Sequence, residues 1–196
     1  MVRATVSRAV VRFDGPVRQT VPVRLCVAVS LPTDVMELVS DLPRPDLGSL
    51  RWTTEDQWHI TLRFLGEVEA PGAVADALQE VPETLRQAEI DDVEAVLGAA
   101  TAWFRGRQIL HVPVTGLEAL ARAVATATVP WGEGVEAPPF SGHLTLARVR
   151  RRQTGPANLA GTPVSAEWTV KEIALMSSTL GPGGSRYGVV ARITLV

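Results

Sequence analysis

Scarcity defines this 196-residue chain as much as content does. Cys26 is its only cysteine, which rules out an internal disulfide and any cysteine-built metal cage. Lys171 is its only lysine and lies in TVKEIAL, without the Lys-x-Asp-Gly setting of an ATP-dependent ligase. Histidine occurs three times, at 59, 111 and 143, with no metal-ligand spacing among them, too few for a metallohydrolase site. No apolar run reaches membrane-spanning length. Arginines interrupt any signal-peptide core in the first 22 residues, MVRATVSRAVVRFDGPVRQTVP, so a cytoplasmic protein is expected. Neither sign of charge dominates: 19 basic against 21 acidic residues leave −2, so any polyanion must be bound locally.

What remains is ample for a core. Hydrophobic residues make up 46% and charged ones 20%, the balance of a globular chain, and the length suits one domain or two small lobes. VRLCVAVSLP (23–32) reads as a buried strand, and TDVMELVSDL (33–42) as a short helix with Thr33 at its N-cap. Val74, Leu78, Val81 and Leu85 recur at helical spacing, and Pro82 is expected to kink or split that helix. VEAVLGAATAWF and RQILHVPVTG read as strands joined near Arg105 and Gly106. Leu117, Leu120, Ala121 and Val124 mark a second amphipathic helix. EWTVKEIALMSSTL and SRYGVVARITLV are strands on either side of a GPGG turn. Strands linked by short turns and mixed with two long helices predict an α+β fold with largely antiparallel sheets. Strand, helix and histidine-bearing strand recur in each half. That echo predicts two similar lobes with helices outside, and the two histidine strands side by side at a central cleft.

The histidine stretches are WHITLRFLG (58–66) and GHLTLARV (142–149). In a strand, residues i and i+2 share a face. His59 and Thr61 then point one way with Arg63, while Trp58, Ile60, Leu62 and Phe64 point the other. His143 and Thr145 share a face opposite Leu144 and Leu146, with Arg148 out of phase unless the strand bulges or ends there. Each copy buries an aliphatic face and presents an imidazole beside a hydroxyl. Two imidazoles on one cleft are the minimum for in-line displacement at phosphorus, where one activates the nucleophile and the other protonates the leaving oxygen. Imidazole suits both roles because its ordinary pKa lies near neutrality. Threonine hydroxyls can donate to the non-bridging oxygens as charge grows on them. A strained five-membered cyclic phosphate needs no metal for this step. His111, in QILHVPV, lacks a threonine partner and is expected to be a strand histidine bonded to solvent or backbone.

The paired motifs resemble those of the 2H phosphoesterases, whose mark is two His-x-Thr-x stretches. Within them the chain is similar to the bacterial and archaeal RNA 2',3'-cyclic phosphodiesterases, also called 2'-5' RNA ligases. The matching pieces are RLCVAVSLP, HITLRFLGEV (59–68), FSGHLTLAR (140–148) and STLGPGGSRYGVVARI. The likeness covers residues 23–196, read as one bilobal domain, and leaves residues 1–22 as an N-terminal extension. Gly142 departs from it, standing where a proline commonly precedes the second histidine; His111 stands where an aromatic is common.

The resemblance implies a bilobal α+β fold and metal-free opening of a 2',3'-cyclic phosphate at an RNA end to a 2'-phosphate. It implies His59 as proton donor, His143 as proton acceptor, and phosphate contacts from Thr61 and Thr145. Arg148 carries over as an RNA or phosphate contact, and Arg63, on strand phase, is a further candidate for substrate binding. The expected partners are RNA ends or nucleotides bearing a 2',3'-cyclic phosphate. No cofactor, metal or membrane is expected, and the chain is taken as a monomer. Two other activities fit the same cleft: ATP-independent 2'-5' ligation to a 5'-hydroxyl, and non-catalytic binding of RNA ends or nucleotides. Binding alone does not require two matched acid–base groups.

Overall fold

The computed structural model describes residues 22–132, 139–150, 153–181 and 184–195, so the N-terminal extension and the centre of the GPGG turn lie outside the described residues. β1 (Val23–Val29) leads into α1 (Thr33–Ser40). β2 (Leu50–Trp52) and a 3-10 turn at Glu55–Gln57 then deliver the chain to β3 (Ile60–Val68). α2 (Pro71–Ala77) and α3 (Val81–Gln87) follow, separated by a 3-10 turn at Leu78–Glu80. Pro82 explains the split: it has no N–H for the helical ladder, and its ring crowds the carbonyl of Leu78 four residues back. Val74, Leu78, Val81 and Leu85 still form one buried stripe. The chain continues through β4 (Glu94–Leu97), β5 (Ala102–Trp103), β6 (Ile109–Thr115), α4 (Glu118–Ala127) and β7 (His143–Val149). It closes with β8 (Ala166–Thr169), β9 (Glu172–Gly181) and β10 (Gly184–Thr194).

Three local expectations are corrected. VEAVLGAATAWF is two strands, β4 and β5, rather than one. Thr33 is the first helical residue rather than the cap; Pro32 holds that position and no side chain caps the helix. EWTVKEIALMSSTL is two strands rather than one. The chain changes partner at Val170 and Lys171, because β8 pairs with β4 at one edge while β9 pairs with β1 in the other lobe.

All strand pairs are antiparallel, in the order β10-β9-β1-β3-β7-β6-β4-β8, with β2 on β7 and β5 on β6. The sheet curls into a half-barrel. The echo between halves is real: β1–α1–β3 and β6–α4–β7 each run strand, helix, histidine strand, with the two strands paired. The lobes meet at β3 and β7, where a single registered pair, Ile60 with Leu144, joins them. The four helices among the described residues lay their apolar side chains on the same face of the sheet, in one core with Val27, Ile60, Val112 and Leu144. Residues of alternate phase (Cys26, Ala28, Ala174 and Met176) form a small cluster on the other face, with Tyr187 and Val189 against it. That second face is the cleft. Among the described residues no helix is long and apolar enough to cross a membrane.

Candidate active site

The seam pair decides where the motifs sit. Ile60 and Leu144 are each fully buried and directly opposed, so the residues on either side of them project from the opposite face. Continuing that antiparallel register sets His59 across from Thr145 and Thr61 across from His143. The two imidazoles are then diagonal neighbours, with Cα atoms about 7–8 Å apart, a span that can flank one phosphate. Each ring is anchored alike. His59 donates from Nδ1 to the carbonyl of Gln57 at 2.9 Å, and His143 from Nδ1 to the carbonyl of Ser141 at 2.8 Å. A carbonyl only accepts, so Nδ1 carries the proton in both, and Nε2 is left for chemistry in the cleft.

The arginines are sorted by two β-bulges. In the β1–β3 register Ala28 pairs with Thr61 but Val27 with Arg63, leaving Leu62 as an extra residue. In the β6–β7 register His111 pairs with Thr145 but Leu110 with Ala147, leaving Leu146 as the extra one. A bulge reverses the alternation beyond it and re-aims side chains. Arg63, in phase on simple alternation, is turned to the helix face, where its guanidinium donates to the carbonyls of Ala125 and Trp131 at the end of α4. Arg148, out of phase on simple alternation, is turned to the cleft, and its charge bears on His59. Phe64 also departs from the simple pattern: it pairs with Cys26 and is 59% exposed rather than buried.

Side chains that carried no motif hold the site together. Thr53 is buried; its hydroxyl accepts from Trp58 Nε1 at 3.1 Å and faces the carbonyls of Thr145 and Leu146 at 2.8 and 2.9 Å. It therefore ties the residue beside His59 to the bulge beyond Thr145. Gln57 closes the capping box of the 3-10 turn and donates to the carbonyl of Ser185 in β10 at 2.7 Å. Tyr187 sets its ring against His59, centroids 4.3 Å apart. On the other side Phe104 stands edge-on to His143 at 4.8 Å and stacks on His111 at 3.9 Å. His111 is thus no ordinary strand histidine. It is buried and 5.8 Å from His143 ring to ring, with the Ile109 backbone opposing the loss of its charge. Gly142 has a packing reason: a Cβ there would meet the carbonyl oxygen of Val114 at 2.3 Å.

Residues 50–182 match the 2'-5' RNA ligase superfamily. Over 187 residues the chain is 30% identical to the RNA 2',3'-cyclic phosphodiesterase of Escherichia coli K12, covering 89% of this chain and 97% of that protein. The chain belongs to the 2'-5' RNA ligase superfamily, a branch of the 2H phosphoesterases. Its fold matches a crystal structure from Thermus thermophilus with a TM-score of 0.67 at 26% identity, covering 88% of this chain and 97% of that one. It also matches E. coli LigT complexed with 3'-AMP, with a TM-score of 0.61 at 26% identity over 89% and 99% of the two chains.

In this 2H phosphoesterase burial governs the charge of His59. Burial pushes the His59 imidazole down to about 4; the Gln57 carbonyl opposes the shift, and the charges of His143 and Arg148 add to it. His111 is lowered as well, first by burial and then by His143. A hollow of about 500 Å³ lined by Leu42, Trp52, Leu110, Leu146 and Leu159 lies on the far side of the sheet from the histidines, since Leu110 and Leu146 are on the helix face. It takes no part in the cleft. Among the described residues no group of three or more His, Cys, Asp or Glu side chains is placed to hold a metal ion.

Proposed function

We propose that this chain hydrolyses a terminal 2',3'-cyclic phosphate on RNA to a 2'-phosphate, by acid–base catalysis at His59 and His143 without a metal. The observation that carries the reading is the pair of Nδ1-anchored imidazoles across the seam, each facing the other motif's threonine. With the phosphate between them, His143 Nε2 takes a proton from water as the new P–O bond forms. His59 Nε2–H gives its proton to the 3' oxygen as the P–O3' bond breaks on the opposite side. Thr61 and Thr145 donate to the non-bridging oxygens, where charge grows. Solvent then returns the proton from His143 to His59.

Burial makes the donor role of His59 conditional. At about 4 its imidazole is neutral near pH 7 in the free protein, and an adjacent anion favours its protonated form. The phosphate monoanion therefore brings the acid into being where it is used. The similarity to E. coli LigT, which has been crystallised with 3'-AMP, supports a nucleotide in this cleft. The same geometry accepts a 5'-hydroxyl in place of water, which gives 2'-5' ligation, the activity for which the superfamily is named.

The test is to incubate the protein with a nucleoside 2',3'-cyclic phosphate, with and without chelator, and separate the products against 2'- and 3'-monophosphate standards. The 2' isomer, formed equally in chelator, is expected. Mostly 3' isomer reverses the assigned geometry, and no turnover ends the enzymatic reading.

A further inference from the structure

Two stretches of the second lobe carry charge of one sign. Residues 95–117 and 137–166 hold six arginines and no aspartate or glutamate, in a chain with 21 acidic residues and a net charge of −2. A compositional preference for arginine over lysine would not remove the carboxylates. Arg105, Arg107 and Arg150 are exposed, and among the described residues no carboxylate pairs with them. The fold brings the three together. Ile109 pairs with Arg148, and the Val149 N–H donates to the Gln108 carbonyl at 2.9 Å, so the β5–β6 turn lies beside the end of β7. The Arg107 N–H closes that turn on the Phe104 carbonyl at 2.8 Å. The Gly155 N–H donates to the Arg107 carbonyl at 3.0 Å, and Gln108 Nε2 to the Gln153 carbonyl at 2.9 Å. The arginine stems thus rise from a fixed platform. It begins at the cleft wall, because Phe104 is the ring that stands edge-on to His143. Arg107 has a φ of +49°, in the left-handed region that favours glycine, so a cation is held where the backbone suits no side chain.

We propose that Arg105, Arg107 and Arg150 form an interaction surface for the phosphate backbone of a single-stranded RNA whose cyclic-phosphate end lies between the histidines. Charge and continuity with the cleft identify the occupant. Arg150 is seven residues along the chain from His143, about 23 Å of extended strand, too far to serve the terminal nucleotide. Planar guanidinium forks suit phosphate oxygens, since each can donate two parallel hydrogen bonds. Contacts of this kind neutralise the backbone without reading bases, so the surface favours a strand over a mononucleotide whatever its sequence. It rests on the phosphodiesterase reading and adds to it the body of the substrate.

Kinetics on two substrates test it: a nucleoside 2',3'-cyclic phosphate, and a short single-stranded RNA ending in the same group. The wild-type protein should favour the RNA in kcat/KM, and the preference should fade as salt rises. Arg105→Gln combined with Arg107→Gln should raise KM for the RNA about ten-fold and leave the mononucleotide unaffected. The slope of log KM against log salt for the RNA should fall by about 1.4, two phosphate contacts to a single strand. Arg105→Lys with Arg107→Lys keeps the charge and should keep the slope. Arg107→Gly suits the left-handed backbone, so it should unfold no more easily than wild type while raising KM for the RNA alone. A merely structural arginine could not give that pair of effects. A KM for the RNA unmoved by the double glutamine variant, with both substrates turned over, would overturn the surface alone. No wild-type turnover of either substrate would overturn the phosphodiesterase reading and the surface with it.

Discussion

β3 and β7 carry the same motif, meet at one seam and anchor the histidine Nδ1 on the carbonyl two residues back. Each also inserts an extra leucine directly after the threonine, Leu62 in one and Leu146 in the other. Beyond that leucine they part. At the fourth residue past the histidine, on the helix face, β3 has Arg63 and β7 has the fully buried Ala147. At the fifth, on the cleft face, β3 shows an exposed aromatic, Phe64, and β7 a cation, Arg148. On the proposed function, the shared part of the strands supplies symmetric acid–base chemistry. The divergent part makes the cleft directional, with a π-face at one end and positive charge at the other, so a nucleotide has one favoured way to lie.

Removing the shared part should cost most. His59→Ala and His143→Ala should each lower the rate of cyclic-phosphate hydrolysis by about 10² to 10⁴, the worth of a positioned acid or base. Steady-state kinetics should put the loss in kcat, with far-UV circular dichroism unchanged.

The next break is at the seam itself. Thr53→Val leaves the Trp58 indole N–H and the Thr145 and Leu146 carbonyls without their shared hydroxyl. The Leu146 carbonyl keeps its bond from the Thr53 N–H, so the chief orphan is the buried indole N–H, at a cost of about 1–3 kcal/mol. Thermal or urea unfolding should show a loss in that range. Activity should fall with it, because the bulge that positions Arg148 loses its clamp.

The two arginines give the sharpest contrast. Arg148→Gln should raise KM about ten-fold, one charge-assisted hydrogen bond, and leave the unfolding midpoint where it was. Arg63→Gln should do the reverse. It removes two donors to carbonyls at the end of α4 and should cost about 1 kcal/mol in unfolding with KM unchanged. Matching effects of the two variants on KM would mean that the bulges do not sort the side chains as described.

Acidity should distinguish His59 by a smaller effect. Its folded pKa of about 4 lies below the ordinary 6.5, so the folded state resists protonation relative to the unfolded chain. Stability from this group is full above pH 6.5 and is lost as pH falls toward 4. His59→Gln should flatten the unfolding midpoint across that window. In NMR the wild-type imidazole should titrate near 4 when free and higher with a nucleotide 2'-monophosphate bound.

Much of this was legible in the sequence, and the rest was hidden for physical reasons. Strict period-two alternation correctly set His59, Thr61, His143 and Thr145 against a buried aliphatic face. It misplaced Arg63 and Phe64 because a bulge shifts the phase by one residue, and Leu62 and Leu146 look like any strand leucines. The repeat of strand, helix and histidine strand gave the two lobes. It could not show that the first lobe takes β9 and β10 from the far end of the chain. Thr53 lay in an unremarkable TT pair, and its importance comes from partners more than 90 residues away. Tyr187 and Phe104 likewise reach the histidines only through the curl of the sheet. His111 had one signal, its place in β6 where an aromatic is common, and the structure seats it among aromatics beside His143.

The central claim is that two histidines from two lobes act on one phosphate as a single acid–base unit. The double variant His59→Ala with His143→Ala, assayed on a nucleoside 2',3'-cyclic phosphate beside the two single variants, tests it most directly. Groups that work as a unit are strongly non-additive, so the double variant should stay within about ten-fold of the slower single one. Losses that multiply, or either single variant turning over at the wild-type rate, would contradict it.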